Sequence, residues 1–258
     1  MGLDAFVYCR CWQDGLAAPC PVGPVGFDED GHLALLQPWE DDPAAHHAFD
    51  AWLVRTCPHE LMEQASEGVA NWTGVRLFQQ ALRSVGRERF PTLAAGLPDD
   101  NSGRLSPEQA TAALAELDEF RESRITDEVV LVDEATGREV MTYVAVYHGV
   151  FMFGPGWQAG VDPDGFFVLD TGADPPVTLF RATRFTQRVL LDGRVELVGD
   201  DSRTVVAMRP VGRNGTPPPE RLAVRVRTRC ADDYAYIVEP LRRLCAAAVA
   251  TGNPVMWA

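Results

Sequence analysis

Residues 127–142 read Asp-Glu-Val-Val-Leu-Val-Asp-Glu-Ala-Thr-Gly-Arg-Glu-Val-Met-Thr, and the apolar, β-branched run 129–132 near the start is typical of a strand. Residues 134–137 supply turn chemistry, and a second β-rich run follows at 139–147. Two strand-like runs joined by a glycine-containing turn predict an antiparallel pair.

The strand-like pattern of residues continues toward the carboxyl end of the chain. Further strands are predicted at 166–169, 184–191, 195–198, 204–208 and 222–230. Asp232 or Asp233 can cap a final helix that reaches about residue 250, with a break or kink at Pro240 and a stop at Gly252. The second half therefore predicts an antiparallel sheet followed by a helix.

Toward the amino end, the sequence predicts one strand and a hairpin, followed by helices. A strand at 3–10 and a hairpin at 25–36 come first. Helix starts follow at Asp42-Pro43 and at the capping box Ser106-Pro107-Glu108-Gln109, and between them apolar residues at helical spacing from Trp72 to Val85 predict another helix.

These patterns predict an α+β fold in which an antiparallel sheet of the C-terminal half packs with N-terminal helices and a C-terminal helix. We expect a single domain over 1–258, with a helical, acidic half at 1–126, a mainly antiparallel β half at 127–230 and the C-terminal helix at 231–251.

Charge is unevenly distributed along the chain. Residues 1–136 carry 24 acids against 9 arginines, whereas 137–258 carry 13 against 14, and the net charge is −14. An acidic surface repels phosphate backbones, so we expect a basic protein partner and no nucleic acid. No run is long and apolar enough to suggest a membrane span or an export signal, so a cytoplasmic location without membrane association is expected. The sequence leaves the oligomeric state open.

Cysteine and histidine residues suggest one metal site. Cys9 and Cys11 lie two apart on the predicted first strand and would face the same side, and Cys57 and His59 form a second pair. The four residues make a reasonable Cys3His zinc site, with Cys20 as a substitute ligand. The alternative is that these cysteines are buried as small apolar side chains.

Glu60 follows this set directly and is the candidate catalytic residue, a general base acting on zinc-bound water. However, neither H-E-x-x-H nor the deaminase signature is present, which favours a structural zinc over a catalytic one.

Three arginines form a candidate site for an anion or a partner. Arg225, Arg227 and Arg229 alternate along a predicted strand and would place three guanidinium groups on one face. The alternative is that they pair with acids on neighbouring strands.

Three motifs resemble those of an uncharacterised bacterial protein family: M-G-L-D with V-Y-C-R-C at the start, C-P-H-E at 57–60, and T-G-N-P-V-M-W at 251–257. The resemblance spans the chain and implies neither an activity nor a ligand. It does place the cysteines and His59 within shared motifs.

Three functions follow as hypotheses, and one of them is an α+β enzyme whose catalytic residues are too widely scattered for the sequence to reveal. The other two are more specific. The first is an acidic intracellular binding protein, such as an immunity-type inhibitor that covers a basic toxin, because charge is asymmetric and catalytic motifs are missing. The second is a zinc-dependent, hydrolase-like enzyme that uses the Cys/His site.

Overall fold

The computed structural model describes residues 2–36, 42–125, 127–213 and 215–258. The chain divides into two compact units: unit 1 is built from residues up to 124 together with 230–258, and unit 2 is residues 125–229. The divisions lie close to the changes in sequence period at 126 and 230. The expectation of a single domain stays a prediction.

Unit 1 contains a four-stranded antiparallel sheet in the order β4-β1-β16-β5, a short hairpin of β2 and β3, and helices α1–α5. Its strands are β1 (Gly2–Tyr8), β2 (Val25–Phe27), β3 (Leu33–Leu35), β4 (Glu63–Asn71), β5 (Arg104–Leu105) and β16 (Val255–Trp257). Its helices are α1 (Pro43–Arg55), α2 (Trp72–Gly86), α3 (Pro91–Gly96), α4 (Pro107–Arg121) and α5 (Ala235–Thr251).

Several helix ends in unit 1 follow the capping residues seen in the sequence, but neither Asp232 nor Asp233 caps α5, because both lie in a 3-10 turn (Ala231–Tyr234) before it. Asp42 accepts hydrogen bonds from the first turn of α1, and Ser106 and Gln109 form the capping box of α4. Gly252 ends α5 in the left-handed region, at φ 70°. The helix α5 continues through Pro240, so the expected break is absent.

Aromatic rings form the core of the helical part of unit 1. Phe120 of α4 meets Phe78 of α2 and Tyr234 edge to face, with ring centroids 5.0 and 5.7 Å apart. Phe90 contacts the same ring at 5.9 Å. Such edge-to-face pairs add to the stabilisation from apolar burial, and together they join α2, α4 and the start of α5.

Unit 2 consists of two antiparallel sheets, in the orders β14-β13-β12-β15-β6-β7 and β11-β10-β9-β8. The first six strands along the chain are β6 (Asp127–Asp133), β7 (Glu139–Thr142), β8 (Val150–Gly154), β9 (Trp157–Asp162), β10 (Gly165–Asp170) and β11 (Val177–Ala182). The rest are β12 (Arg184–Val189), β13 (Val195–Gly199), β14 (Arg203–Val206) and β15 (Arg221–Thr228). One buried cluster draws on both sheets; for example, Phe166 of β10 stacks on Phe185 of β12 at 4.6 Å.

The α+β class with antiparallel sheets and a C-terminal helix is confirmed. The strand expected at 139–147 is shorter, because β7 ends at Thr142 and residues 145–147 form a 3-10 turn that leads into His148 at φ 50°. Strands β4, β5, β8, β9, β11 and β16 were not predicted. No helix within the described ranges combines the length and the apolar character that crossing a bilayer requires.

Candidate metal centre

The antiparallel pairing of β1 with β4 brings the two halves of the candidate site together. Tyr8 at the end of β1 pairs with Glu63 at the start of β4. Cys9 therefore follows directly after one strand, while Cys57 and His59 lie just before the other. The prediction that Cys9 and Cys11 lie on the first strand was wrong, because β1 ends at Tyr8 and the chain turns after it. Residues far apart in sequence meet because neighbouring antiparallel strands end and begin at the same edge of the sheet.

The segment from 57 to 62 is sharply bent. His59 precedes a 3-10 turn, Glu60–Met62, in which Leu61 and Met62 have positive φ values of 51° and 60°. Left-handed backbone costs energy in residues other than glycine and persists where the surroundings impose it. Here the bend allows the carbonyl of Met62 to accept a hydrogen bond from the N–H of Cys9, at 2.7 Å.

The loop after Cys9 is held by α1 and by its own turns. The carbonyl of Cys11 accepts hydrogen bonds from the N–H groups of Leu16 and Ala17, at 2.8 and 2.9 Å. The indole N–H of Trp52, on α1, donates to the carbonyl of Ala18 at 2.7 Å. The loop that follows Cys9 and the helix α1, which leads to Cys57, are thus held in a fixed relative position.

The four predicted ligands converge. One donor atom from each of Cys9, Cys11, Cys57 and His59 lies within 4.8 Å of all the others. The Sγ atoms of Cys9 and Cys57 are 3.8 Å apart, and Nδ1 of His59 lies 3.5 Å from Sγ of Cys11 and 3.8 Å from Sγ of Cys57. No other group of this kind occurs in the part of the chain that the structure describes.

These distances match a tetrahedral zinc shell. With Zn–S bonds of about 2.3 Å and Zn–N bonds of about 2.0–2.1 Å, the corners of a tetrahedron are about 3.8 Å apart for two sulfurs and about 3.6 Å apart for a sulfur and a nitrogen. Thiols that were buried only as apolar side chains would have no reason to adopt this spacing together with an imidazole nitrogen.

The environment of Cys9 and Cys11 disfavours the thiolate form of these two side chains unless a cation is present. Burial raises the pKa of the Cys9 thiol to about 12; the backbone N–H of Cys11, which hydrogen-bonds to its sulfur, opposes this rise, and the neighbouring cysteine side chains add to it. Burial also raises the pKa of the Cys11 thiol. Both side chains are little exposed, at 3% and 9%.

The remaining site predictions have different outcomes. Cys20 is half-buried and lies outside the four-residue cluster. Glu60 is exposed at the start of its 3-10 turn, beside a cluster that already offers four protein ligands. Because a catalytic zinc needs an open coordination position, this arrangement does not favour Glu60 as a general base.

The three arginines are paired with acids, as their alternative interpretation predicts. Arg225 contacts Glu134 at 3.3 Å and Arg227 contacts Glu139 at 2.5 Å. Arg229 bridges Glu128 and Glu139 at 2.8 and 2.9 Å. Their guanidinium groups stabilise the edge of the six-stranded sheet, and an anion would have to compete with these carboxylates.

Sequence reasoning gave no role to Asn253, which the structure places against the cysteine loop. Its side chain is 2% exposed and donates hydrogen bonds to the carbonyls of Tyr8 and Cys9. The available signal was an asparagine between a helix-stopping glycine and a proline, within the stretch T-G-N-P-V-M-W at 251–257. No protein-family model, curated protein or solved structure matches this chain.

Proposed function

We propose that this protein binds one zinc ion through Cys9, Cys11, Cys57 and His59, and that the ion is structural. The observation that carries the proposal is the spacing of the four donor atoms, with pairs at 3.5–3.8 Å and all within 4.8 Å. Four protein ligands complete a tetrahedral shell and leave no position for substrate or water, which is the pattern of structural rather than catalytic zinc.

Such an ion would link three parts of unit 1: the end of β1, the loop that follows it and the segment after α1. Three aromatic side chains, Tyr8, Phe49 and Trp52, are buried in the same cluster of residues as Cys9 and Cys11. This cluster is small, and a metal that crosslinks its walls would supply stability that limited apolar burial does not.

The test is metal content and cobalt substitution in the purified full chain. We expect one zinc per chain, and cobalt(II) in its place should give the strong visible absorption of a tetrahedral thiolate site. Cys57→Ser should lose stoichiometric metal, whereas Cys20→Ser, a nearby half-buried cysteine outside the cluster, should retain it. A wild-type chain that binds neither metal would refute the proposal.

Removal of the ion also has an expected energetic signature. A ligand that binds only the folded state stabilises it by about 2.7 kcal/mol when its free concentration is 100 times Kd. Chelation should therefore lower the midpoint of urea unfolding in the wild type and leave Cys57→Ser unchanged. Glu60→Gln should behave like the wild type in metal content, because Glu60 is not among the four converging ligands.

We also propose that unit 1 binds a basic protein partner through its acidic surface, of which an inhibited toxin is one example. The supporting observation is that most of the excess negative charge lies in unit 1: residues 1–124 with 230–258 carry 23 acids and 11 arginines, whereas 125–229 carry 14 and 12. Ion pairs neutralise some of these acids, such as Glu67 with Arg243 and Glu119 with Arg89. The exposed hairpin turn Asp28-Glu29-Asp30 has no arginine partner among the ion pairs of the described residues.

An arginine-rich peptide is a suitable probe for this surface, because its binding should weaken steeply as salt rises. Replacing Glu29 and Asp30 with Gln and Asn should reduce the affinity at low salt. The matched control is Asp200→Asn with Asp201→Asn, an adjacent exposed pair in unit 2. Equal effects from the two double variants would contradict a surface confined to unit 1.

A further inference from the structure

The chain after α5 turns back onto the loop that carries two of the zinc ligands. Gly252, in the left-handed region, ends the helix and redirects the chain. The next residue, Asn253, has its side chain almost fully buried, at 2% exposure. A buried amide is retained only where its donors and acceptor are matched, so the contacts of this side chain define its role.

Every polar atom of the Asn253 side chain is engaged by the segment from Tyr8 to Gln13. Its Nδ2 donates to the carbonyls of Tyr8 at 2.9 Å and Cys9 at 3.2 Å, and to Oε1 of Gln13 at 3.0 Å. Its Oδ1 accepts from Nε2 of Gln13 at 2.5 Å. One side chain therefore holds the carbonyls of the two peptides that flank the Cα of Cys9, and it also holds Gln13 in the loop that follows.

Two further hydrogen bonds hold the backbone around Cys9 from opposite sides. The N–H of Cys9 donates to the carbonyl of Met62, on the segment that carries His59. Arg10, between the two cysteine ligands, donates from its guanidinium to the carbonyl of Thr251 at 2.9 Å. The backbone of the Cys9–Cys11 turn is thus held on one side by Met62, in the segment that follows the second ligand pair. On the other side it is held by residues 251–253.

We propose that Asn253 is a positioning residue for the zinc centre, which sets the direction of the Cys9 sulfur through the carbonyls of Tyr8 and Cys9. This inference rests on the proposed zinc function. Groups that hold ligands from outside the coordination shell commonly change metal affinity by about 10–100-fold when they are removed, because a tetrahedral site tolerates ligand displacements of only about 0.2 Å.

The experiment compares Asn253→Asp with Gln13→Ala by cobalt(II) and zinc titration of the full chain. The aspartate keeps the size and the acceptor oxygens but loses both donors to the backbone carbonyls. We expect it to bind one metal with a Kd about 10–100-fold higher, and to change the position or intensity of the thiolate-to-cobalt absorption. Gln13→Ala leaves the carbonyl contacts in place and should alter both readouts far less.

Asn253→Ser provides a second variant with a neutral hydroxyl donor, in case the buried carboxylate prevents folding. A loss of folding stability in the metal-free protein with unchanged Kd and unchanged cobalt spectrum would overturn the positioning role. Equal effects of Asn253→Asp and Gln13→Ala would overturn it as well. Failure of the wild type to bind either metal is a different outcome, which refutes the zinc site itself and this inference with it.

Discussion

Glu116 is a buried carboxylate of α4 that caps a different helix. Its two oxygens accept hydrogen bonds from the N–H groups of Thr92 and Leu93, both at 2.8 Å, in the first turn of α3. The N-cap position of α3 is Phe90, whose side chain cannot accept such bonds. A carboxylate at a helix N-terminus also interacts favourably with the helix dipole, so one residue joins α3 to α4.

We predict that Glu116→Ala lowers the free energy of unfolding by about 1–3 kcal/mol, because two buried N–H groups lose their acceptor. Chemical denaturation with urea measures the change. Glu119→Ala is the matched control in the same helix: its partner Arg89 is exposed, and the loss should be about 0–1 kcal/mol. Similar losses for the two variants would contradict the capping role.

At the level of single residues, the four side chains that the sequence proposed as zinc ligands are the four that converge, because the types and the paired spacing of such ligands are local features. It did not identify Asn253 or Glu116. Their roles depend on partners 245 and 24 residues away in sequence. No local pattern encodes such contacts, since a lone asparagine or glutamate is compatible with many environments.

Among the elements, the strands β15, β6 and β7 are linked by ion pairs whose arginine side chains differ in their exposure to solvent. The side chain of Arg229 is 15% exposed and bridges two glutamates, whereas that of Arg225 is 50% exposed and contacts one. Charged groups that lose most of their hydration depend on their partners far more than exposed groups do. Arg229 should therefore matter most among the three arginines.

We predict that Arg229→Gln destabilises the protein by about 3–5 kcal/mol, because it removes the largely buried cation that bridges Glu128 and Glu139. Arg225→Gln should cost only about 0–1 kcal/mol. Equilibrium unfolding of the two variants, side by side, provides the measurement. A larger loss of unfolding free energy for Arg225→Gln would show that side-chain exposure does not determine how much each ion pair contributes.

The same ion pairs predict a dependence of stability on pH. Burial opposes ionisation of Glu139, but hydrogen bonds and charge from Arg229 and Arg227 outweigh it and lower the pKa of the carboxyl. A lowered pKa in the folded state gives stability that is complete above the unfolded value of about 4.3 and is lost as pH falls through the folded value. The difference in unfolding free energy between the wild type and Glu139→Gln should therefore shrink as the solution is acidified below that value. A constant difference would refute this account.

Helices and strands with strong local sequence signals could be predicted. Strands that form only because a neighbouring strand offers them backbone hydrogen bonds could not. The helices α1 and α4 have caps, and β15 has a clear alternation. In contrast, β4 reads Glu-Gln-Ala-Ser-Glu-Gly-Val-Ala-Asn, a polar sequence with little strand propensity. It is a strand because β1 offers it a row of backbone partners, as β1 also does for the three residues of β16.

On the scale of the whole molecule, the four residues of the proposed zinc site all lie in unit 1. We predict that chelation raises amide hydrogen exchange at the end of β1, in the loop 10–17 and in the segment 56–62. The strands β6 and β15 of unit 2 should retain their protection. Mass spectrometry of exchanged peptides distinguishes these regions, and uniform deprotection of both units would contradict a local crosslink.

The pairing of β1 with β16 constrains how unit 1 is made. β16 lies between β1 and β5, and Asp4 and Ala258 exchange backbone hydrogen bonds at 3.2 and 2.9 Å. During translation, β1 emerges before the other described strands and helices and its partner β16 after them, so the central sheet closes only when residues 255–257 have left the ribosome. Unit 2 is continuous in sequence and can mature earlier. The strand β1 therefore keeps one edge unpaired until β16 has been made, which happens after the whole of unit 2 has been made.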